Sequence, residues 1–385
     1  MESVTSSAPV ASHRLSQIAF HNPPDTPFLR WFANGLKRRL LREGHREVAF
    51  GDGADLVLNF TDAKRPRPYR RNAQATFVVG VVEVDENPGD GPGDGPANSR
   101  GDLLKAAYPV LVKSLSNLLV YVIHTPTGSE TYFITLEQGY YTARATQGDS
   151  YFDEVYHRIA PLASSRLVIN NIFQETLPAA LRKGNPTTDA LVAAGRRLEA
   201  MNLLPSPFPL DDILSPRDLA HVNRLFGIGG LSYGNLSSRH DESAFWMSAR
   251  GVNKAEMADI GRDIVLITDY DAAQDAMVVQ VPPGITPRGA SVDAIEHWAL
   301  YQEHPDIGAI IHIHAWMRGV SSTTVNYPCG TYELAQEVAS HVRRCADPGR
   351  AVIGLKNHGL TITGHSLDDI FTRIDGEILP QVPME

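Results

Sequence analysis

Apolar and polar positions along this chain recur in two rhythms, helical and strand-like. Residues 27–44, PFLRWFANGLKRRLLREG, place apolar side chains at helical spacing and close on a glycine, which predicts an amphipathic helix. Short β-rich runs follow at 47–50, 56–60 and 76–84, then a predicted helix over 102–118 and a strand over 119–124. Residues 132–136 and 140–143 read as a hairpin around Gly139, followed by a helix over 151–163 and a last strand near 167–172. This alternation predicts a separate N-terminal α/β domain over 27–175, of unassigned role. Residues 1–26 lack the basic stretch and apolar core of a signal peptide and read as a disordered arm. Residues 176–210 hold a helix over 185–201 and then the Pro-rich linker NLLPSPFPLDD (202–212), so a second domain is expected over 211–385. It opens with Ser215-Pro216-Arg217-Asp218, a helix start running to about Phe226, and then the glycine-rich turn segment 227–235.

Composition narrows the function classes. A chain of 385 residues, 43% of them hydrophobic, holds enough apolar mass for two cores. A net charge of −9 argues against wholesale binding to a phosphate backbone, and no apolar run approaches a membrane span, so neither nucleic acid nor membrane is an expected partner. Cys329 and Cys345, the two cysteines, fit a reducing cytosol better than a disulfide framework and read as ordinary packing residues. The basic run 64–71 reads as an anion-binding stretch or a solvated loop. The Gly-, Pro- and Asp-rich stretch 83–102 reads as a mobile loop, too acidic and Pro-rich to cradle phosphate.

The chemistry concentrates in SVDAIEHWALYQEHPDIGAIIHIHAW (291–316). Residues 307–311 suit a buried strand that His312 and His314 continue two residues apart, so both imidazoles point to one face. Alone, this pair reads equally as two packed strand histidines. A third histidine changes the picture: 351–355 (AVIGL) is another predicted strand, followed by His358 in a tight turn and a return strand at 360–363. Three imidazoles at adjacent strand ends would form an open metal site with room for a substrate oxygen. Upstream, Ser291 can cap a helix on which Asp293 and His297 share a face.

In their order, GNLSSR (234–239), MSARG (247–251), SVDAIEH (291–297), HPDIGAIIHIHA (304–315) and LKNHGLTITGHSLDD (355–369) resemble the class II aldolase and adducin family over about residues 211–385. The resemblance implies a three-layer α/β/α domain around a mostly antiparallel sheet, commonly assembled as a homo-oligomer. It also implies a divalent metal on His312, His314 and His358, zinc before iron or manganese. Asp293 falls where the sugar-phosphate aldolases carry a catalytic glutamate. Gly234, Asn235, Arg250, Gly251 and Ser291 fall on the loops that hold the substrate's phosphate. Val292 and Arg250 depart from the family pattern, which favours a phosphate or carboxylate held partly by charge. The segment between Trp316 and 328–338 is shorter than the family's, leaving Tyr327 and Tyr332 as stand-ins for its tyrosine acid.

The resulting expectation is a cytosolic metal-dependent lyase making or breaking a carbon–carbon bond in a small hydroxy-carbonyl substrate through a metal-stabilised enediolate, with Asp293 as the base. The alternatives are a non-catalytic adducin-like interaction module, an epimerase, dehydratase or decarboxylase, and a non-haem iron oxygenase in which Asp293 becomes a ligand.

Overall fold

The computed structural model describes residues 15–49, 53–71, 76–85, 99–126, 128–137, 139–144, 148–201, 203, 215–217, 219–220 and 234–385. Most of the expected linker, of the helix from Ser215 to Phe226, of segment 227–235 and of loop 83–102 lies outside these residues.

The first sheet contains seven strands: β1 (Gln17–His21), β2 (Arg46–Glu47), β3 (Leu56–Phe60), β4 (Phe77–Asp85), β5 (Leu118–Thr125), β6 (Gly128–Thr135) and β7 (Tyr140–Thr142). Their order is β2-β1-β3-β4-β5-β6-β7, parallel as far as β5 and antiparallel beyond it. Helices α1 (Pro27–Arg42) and α3 (Gly148–Ala163) cover one face and α2 (Ser99–Lys113) the other. The alternation of β5 explains this division. Leu118, Val120 and Val122 join the core under α1 and α3, whereas Leu119 and Tyr121 join the core under α2. Helix α1 starts where Thr26 accepts a hydrogen bond from the Leu29 amide at 3.1 Å with Pro27 in the first turn, and it buries Leu29, Phe32, Leu36 and Leu40.

The second sheet has nine strands in the order β14-β15-β16-β13-β9-β10-β11-β12-β8. They are β8 (Asn170–Gln174), β9 (Gly234–Arg239), β10 (Phe245–Ser248), β11 (Ile264–Asp271), β12 (Ala276–Gln280), β13 (Ala309–Ile313), β14 (Ser321–Ser322), β15 (Val352–Leu355) and β16 (Gly359–Gly364). Among the described residues, four helices pack on it: α4 (Pro186–Ala200), α5 (Ala294–Glu303), α6 (Tyr332–Val342) and α7 (Leu367–Ile374). α4 and α7 touch one another and lie against β9 and β13 respectively, while α5 and α6 pair and lie against β11 and β15. One continuous apolar cluster runs through this sheet and its helices, with Trp246 fully buried in it.

The structure departs from the sequence reading in four places. The second sheet is mixed rather than mostly antiparallel: β14 and β8 add parallel pairings at its two edges. Strand β8, expected to close the first domain, instead pairs along its whole length with β12, a long-range pairing that no local pattern encodes. Gln17–His21, inside the expected disordered arm, forms β1 between β2 and β3, because Ile18 and Ala19 are fully buried there. Helix α5 begins at Ala294 with Asp293 in the cap position, so Ser291 does not cap it, and Asp293 uses its side chain elsewhere.

Candidate functional site

Strand β13 carries the site. Its register sets His312 opposite Asn235 of β9 on one side and Thr361 of β16 on the other, so the three side chains form a polar row across the sheet. The first turn of α5 lies over this row. Asn235 Nδ2 donates to Asp293 Oδ2 at 2.6 Å, and Thr361 Oγ1 donates to Glu296, one helical turn further on. Farther along β9, Ser237 Oγ bonds His297 Nδ1 at 2.7 Å and Tyr301 OH at 2.8 Å, so His297 is held beneath α5 rather than beside Asp293 in the site. Two glycines let the neighbouring strands close on the end of β13. A Cβ at Gly234, whose φ is +146°, would stand 2.5 Å from the His312 carbonyl oxygen, and one at Gly359 would stand 2.1 Å from that of Ile313.

His358 completes a cluster with His312 and His314. The turn between β15 and β16 bends through Asn357, whose φ is +56°, and brings His358 Nε2 to 3.1 Å from His312 Nε2. All three imidazoles are buried, and one ring nitrogen from each lies within 4.8 Å of the others. His312 Nδ1–H donates to the Leu360 carbonyl at 3.0 Å, and His358 Nδ1 faces Glu137 Oε1 at 3.3 Å. Both Nε2 lone pairs are therefore turned toward each other, an arrangement that needs a proton or a cation between them. Burial pushes the His312 pKa down to about 4 and that of His314 well below the usual histidine range. Burial opposes a charge on His358 too, but the Glu137 carboxylate beside it pushes its pKa up; converging imidazole nitrogens of this kind are the donor set that a divalent transition metal takes by displacing the proton, so these residues fit such an ion.

A cavity of about 220 Å³ opens over the cluster, and the base, metal-ligand and substrate-binding residues expected from the sequence border it: Gly234, Asn235, Arg250, Gly251, Ser291 and Asp293 beside the three histidines. Asp293 Oδ2 lies 4.0 Å from His312 Nε2. Asn235 Oδ1, also buried, has no partner among the described residues. Arg250 is no surface arginine. It is half-buried, and its Nη2 donates to the Ile169 carbonyl at 2.9 Å while its buried Nε has no partner among the described residues.

Several neighbours were not singled out. Lys254, 8% exposed, borders the cavity with its pKa pushed down to about 8 by burial, and Arg71, the last residue of the basic run, turns in from the first sheet. Glu137 and Tyr141 reach the cavity from the β6–β7 hairpin. Cys329 is not ordinary packing: its Sγ lies 3.2 Å from His358 Nε2, and burial followed by nearby carboxylates pushes its thiol pKa far up. Tyr327 borders the cavity, whereas Tyr332 stacks on Tyr270 and lies under Arg166. Lys254, Glu137, Tyr141 and Cys329 carry no local signature; each is defined by contacts between distant segments.

Residues 217–375 match the family described as Class II Aldolase and Adducin N-terminal domain, and this C-terminal part of the chain belongs to that family. Among curated proteins, the methylthioribulose-1-phosphate dehydratase of Leptospira biflexa serovar Patoc is 28% identical over 134 residues, which are 34% of this chain and 58% of that protein. The chain thus spans under two thirds of the length of the curated relatives it matches. Among solved structures, an L-fuculose 1-phosphate aldolase is 20% identical, with 51% of this chain and 83% of that one covered at a TM-score of 0.34. An aldolase II superfamily protein from Pseudomonas syringae is 20% identical, with 50% and 73% covered at a TM-score of 0.32.

Proposed function

We propose that the cavity is the active site of a metal-dependent lyase acting on a small, anionic hydroxy-carbonyl substrate. One observation carries the reading: three buried imidazoles converge beside a carboxylate, in a cavity that Arg71, Arg250 and Lys254 also border. His312, His314 and His358 would hold the ion, and imidazole donors suit zinc, with iron and manganese as alternatives. Bound there, a divalent cation would supply Lewis-acid polarisation of a substrate oxygen. Asp293 is the base: Asn235 fixes one of its oxygens, and burial keeps bulk water from competing for the proton. Arg250 and Lys254 hold the substrate's phosphate or carboxylate, since burial lowers the pKa of both and a desolvated cation gains most from an anionic ligand. Gly251 and Ser291 border the same cavity and let the anion approach the backbone. The free Oδ1 of Asn235 accepts from a substrate hydroxyl.

Proton removal by Asp293 serves both aldol-type cleavage and loss of water, and the name of the Leptospira relative makes dehydration the second reaction to test. Both cysteines are free thiols, which supports a cytosolic setting, and kinship of the C-terminal part with class II aldolases supports a homo-oligomer. Metal analysis of protein purified without added metal, followed by incubation with ketose phosphates including methylthioribulose 1-phosphate, tests the proposal. Aldehyde release marks carbon–carbon cleavage and a dehydrated product marks water elimination. Full metal occupancy with neither product from any of these substrates would overturn the lyase reading.

A further inference from the structure

We propose that Glu137, carried by the first sheet outside the family-matched segment, is a positioning residue that fixes the ring of His358 for metal binding. The inference rests on the metal-site reading above and adds to it a contribution from a part of the chain that the family does not cover.

Glu137 sits in the turn of the β6–β7 hairpin, and its Oε1 lies 3.3 Å from His358 Nδ1, with the two side chains 15% and 5% exposed. A neutral imidazole carries its proton on one nitrogen only, and the group facing that nitrogen decides which one. With Nδ1–H donated to Glu137, the lone pair of Nε2 is left on the side where His312 Nε2 lies at 3.1 Å. The Leu360 carbonyl does the same for His312 from the adjacent strand. Two of the three rings therefore have tautomer and orientation set from behind, one by its own sheet and one by the other sheet.

The hairpin has a backbone closure besides this carboxylate. Its turn is closed by the backbone bond from the Thr135 amide to the Gly139 carbonyl at 3.1 Å, and β6 and β7 pair in register beyond it. Two further contacts hold the turn against the histidine. Met384 packs on Gly139, where a Cβ would stand 2.5 Å from its Cε. The next residue, Glu385, exchanges hydrogen bonds with the side chain of Asn357, its amide donating at 2.8 Å and its carbonyl accepting at 3.1 Å. Asn357 immediately precedes His358, so residues 384–385 join the carboxylate's turn to the histidine's turn. A hydrogen bond from a neutral imidazole to this carboxylate contributes little net stability once desolvation of the carboxylate is counted, which leaves the orientation of His358 as its physical role.

The test uses the full-length protein as wild type, Glu137→Gln and Glu137→Ala, with zinc affinity measured at pH 7 by competition with a chromophoric chelator. Glu137→Ala is expected to bind zinc about 10–100-fold more weakly and Glu137→Gln less severely, with the metal-free unfolding midpoint unchanged in both. In ¹⁵N-histidine spectra of the zinc-loaded protein, the Nδ1–H resonance of His358 should move in both variants. Wild-type affinity in Glu137→Ala overturns the inference. So does a loss of affinity no larger than the accompanying loss of metal-free stability, which would mark Glu137 as a packing residue. A wild-type protein that binds no zinc overturns the metal-site reading instead.

Discussion

Glu296 offers a direct measure of how far the core beneath the site is sealed from water. It is 2% exposed, accepts a bond from Thr361, and its Oε2 has no partner among the described residues. Burial first, and then the neighbouring Asp293, raise its pKa from 4.5 to about 8. The folded state therefore keeps a proton that the unfolded chain has already released, and the stability this confers is complete below pH 4.5 and declines as the pH rises to about 8. Each pH unit in that window costs about 1.4 kcal/mol, so about 3 kcal/mol is lost by pH 7. Glu296→Gln keeps the shape and the acceptor for Thr361 but cannot ionise. Urea unfolding of the metal-free protein, followed by tryptophan fluorescence from Trp246 in the same core, should give similar stabilities near pH 4.5. At pH 7 the variant should lead by about 3 kcal/mol. Parallel pH profiles for the two proteins would refute the burial argument.

Four other outcomes follow from the geometry. His312→Ala should abolish metal retention on gel filtration while the first sheet stays folded by circular dichroism, since His312 belongs to neither apolar cluster of that sheet. Asp293→Asn should retain metal but lower kcat by about 10²–10⁴-fold on whichever substrate the wild type turns over, as expected for loss of a general base. Gly359→Ala, which pushes a methyl group against the Ile313 carbonyl, should destabilise by about 1–3 kcal/mol in urea unfolding and weaken metal binding in the same preparation. Arg250→Met should remove the thermal protection that millimolar phosphate gives the wild type, without lowering the unprotected unfolding temperature, because a poorly paired, half-buried cation is exchanged for an apolar side chain.

What could be read from the sequence was local. His312 and His314 declare themselves because strand alternation makes an i, i+2 pair share a face whatever surrounds it, and His358 because its strand, turn and return strand are contiguous. Asn235, Gly234 and Arg250 were found only through ordered motifs, and the structure supplies the reasons: a cross-strand partner, a close backbone approach and a cavity wall. What escaped was long-range. Glu137 stands in an ordinary hairpin turn, and nothing near it in the chain announces a histidine more than half the chain away. Cys329 looks like any small apolar residue until the turn bearing His358 is laid beside it. The exchange of β8 between sheets is of the same kind, because a parallel partner is chosen by the tertiary fold and not by the strand's own pattern.

The strand at the centre of the site has apolar neighbours on both sides, for AIIHI is buried at every position. Such a segment could slip by one residue against β9 or β16 and still bury isoleucine, so greasy contacts alone scarcely discriminate between the two alignments. The slip would swing His312 to the opposite surface and strand Asn235 and Thr361 without their neighbour. The polar groups that attend the reaction thereby act as the address label of the strand, and a misaligned molecule would be chemically silent rather than merely less stable.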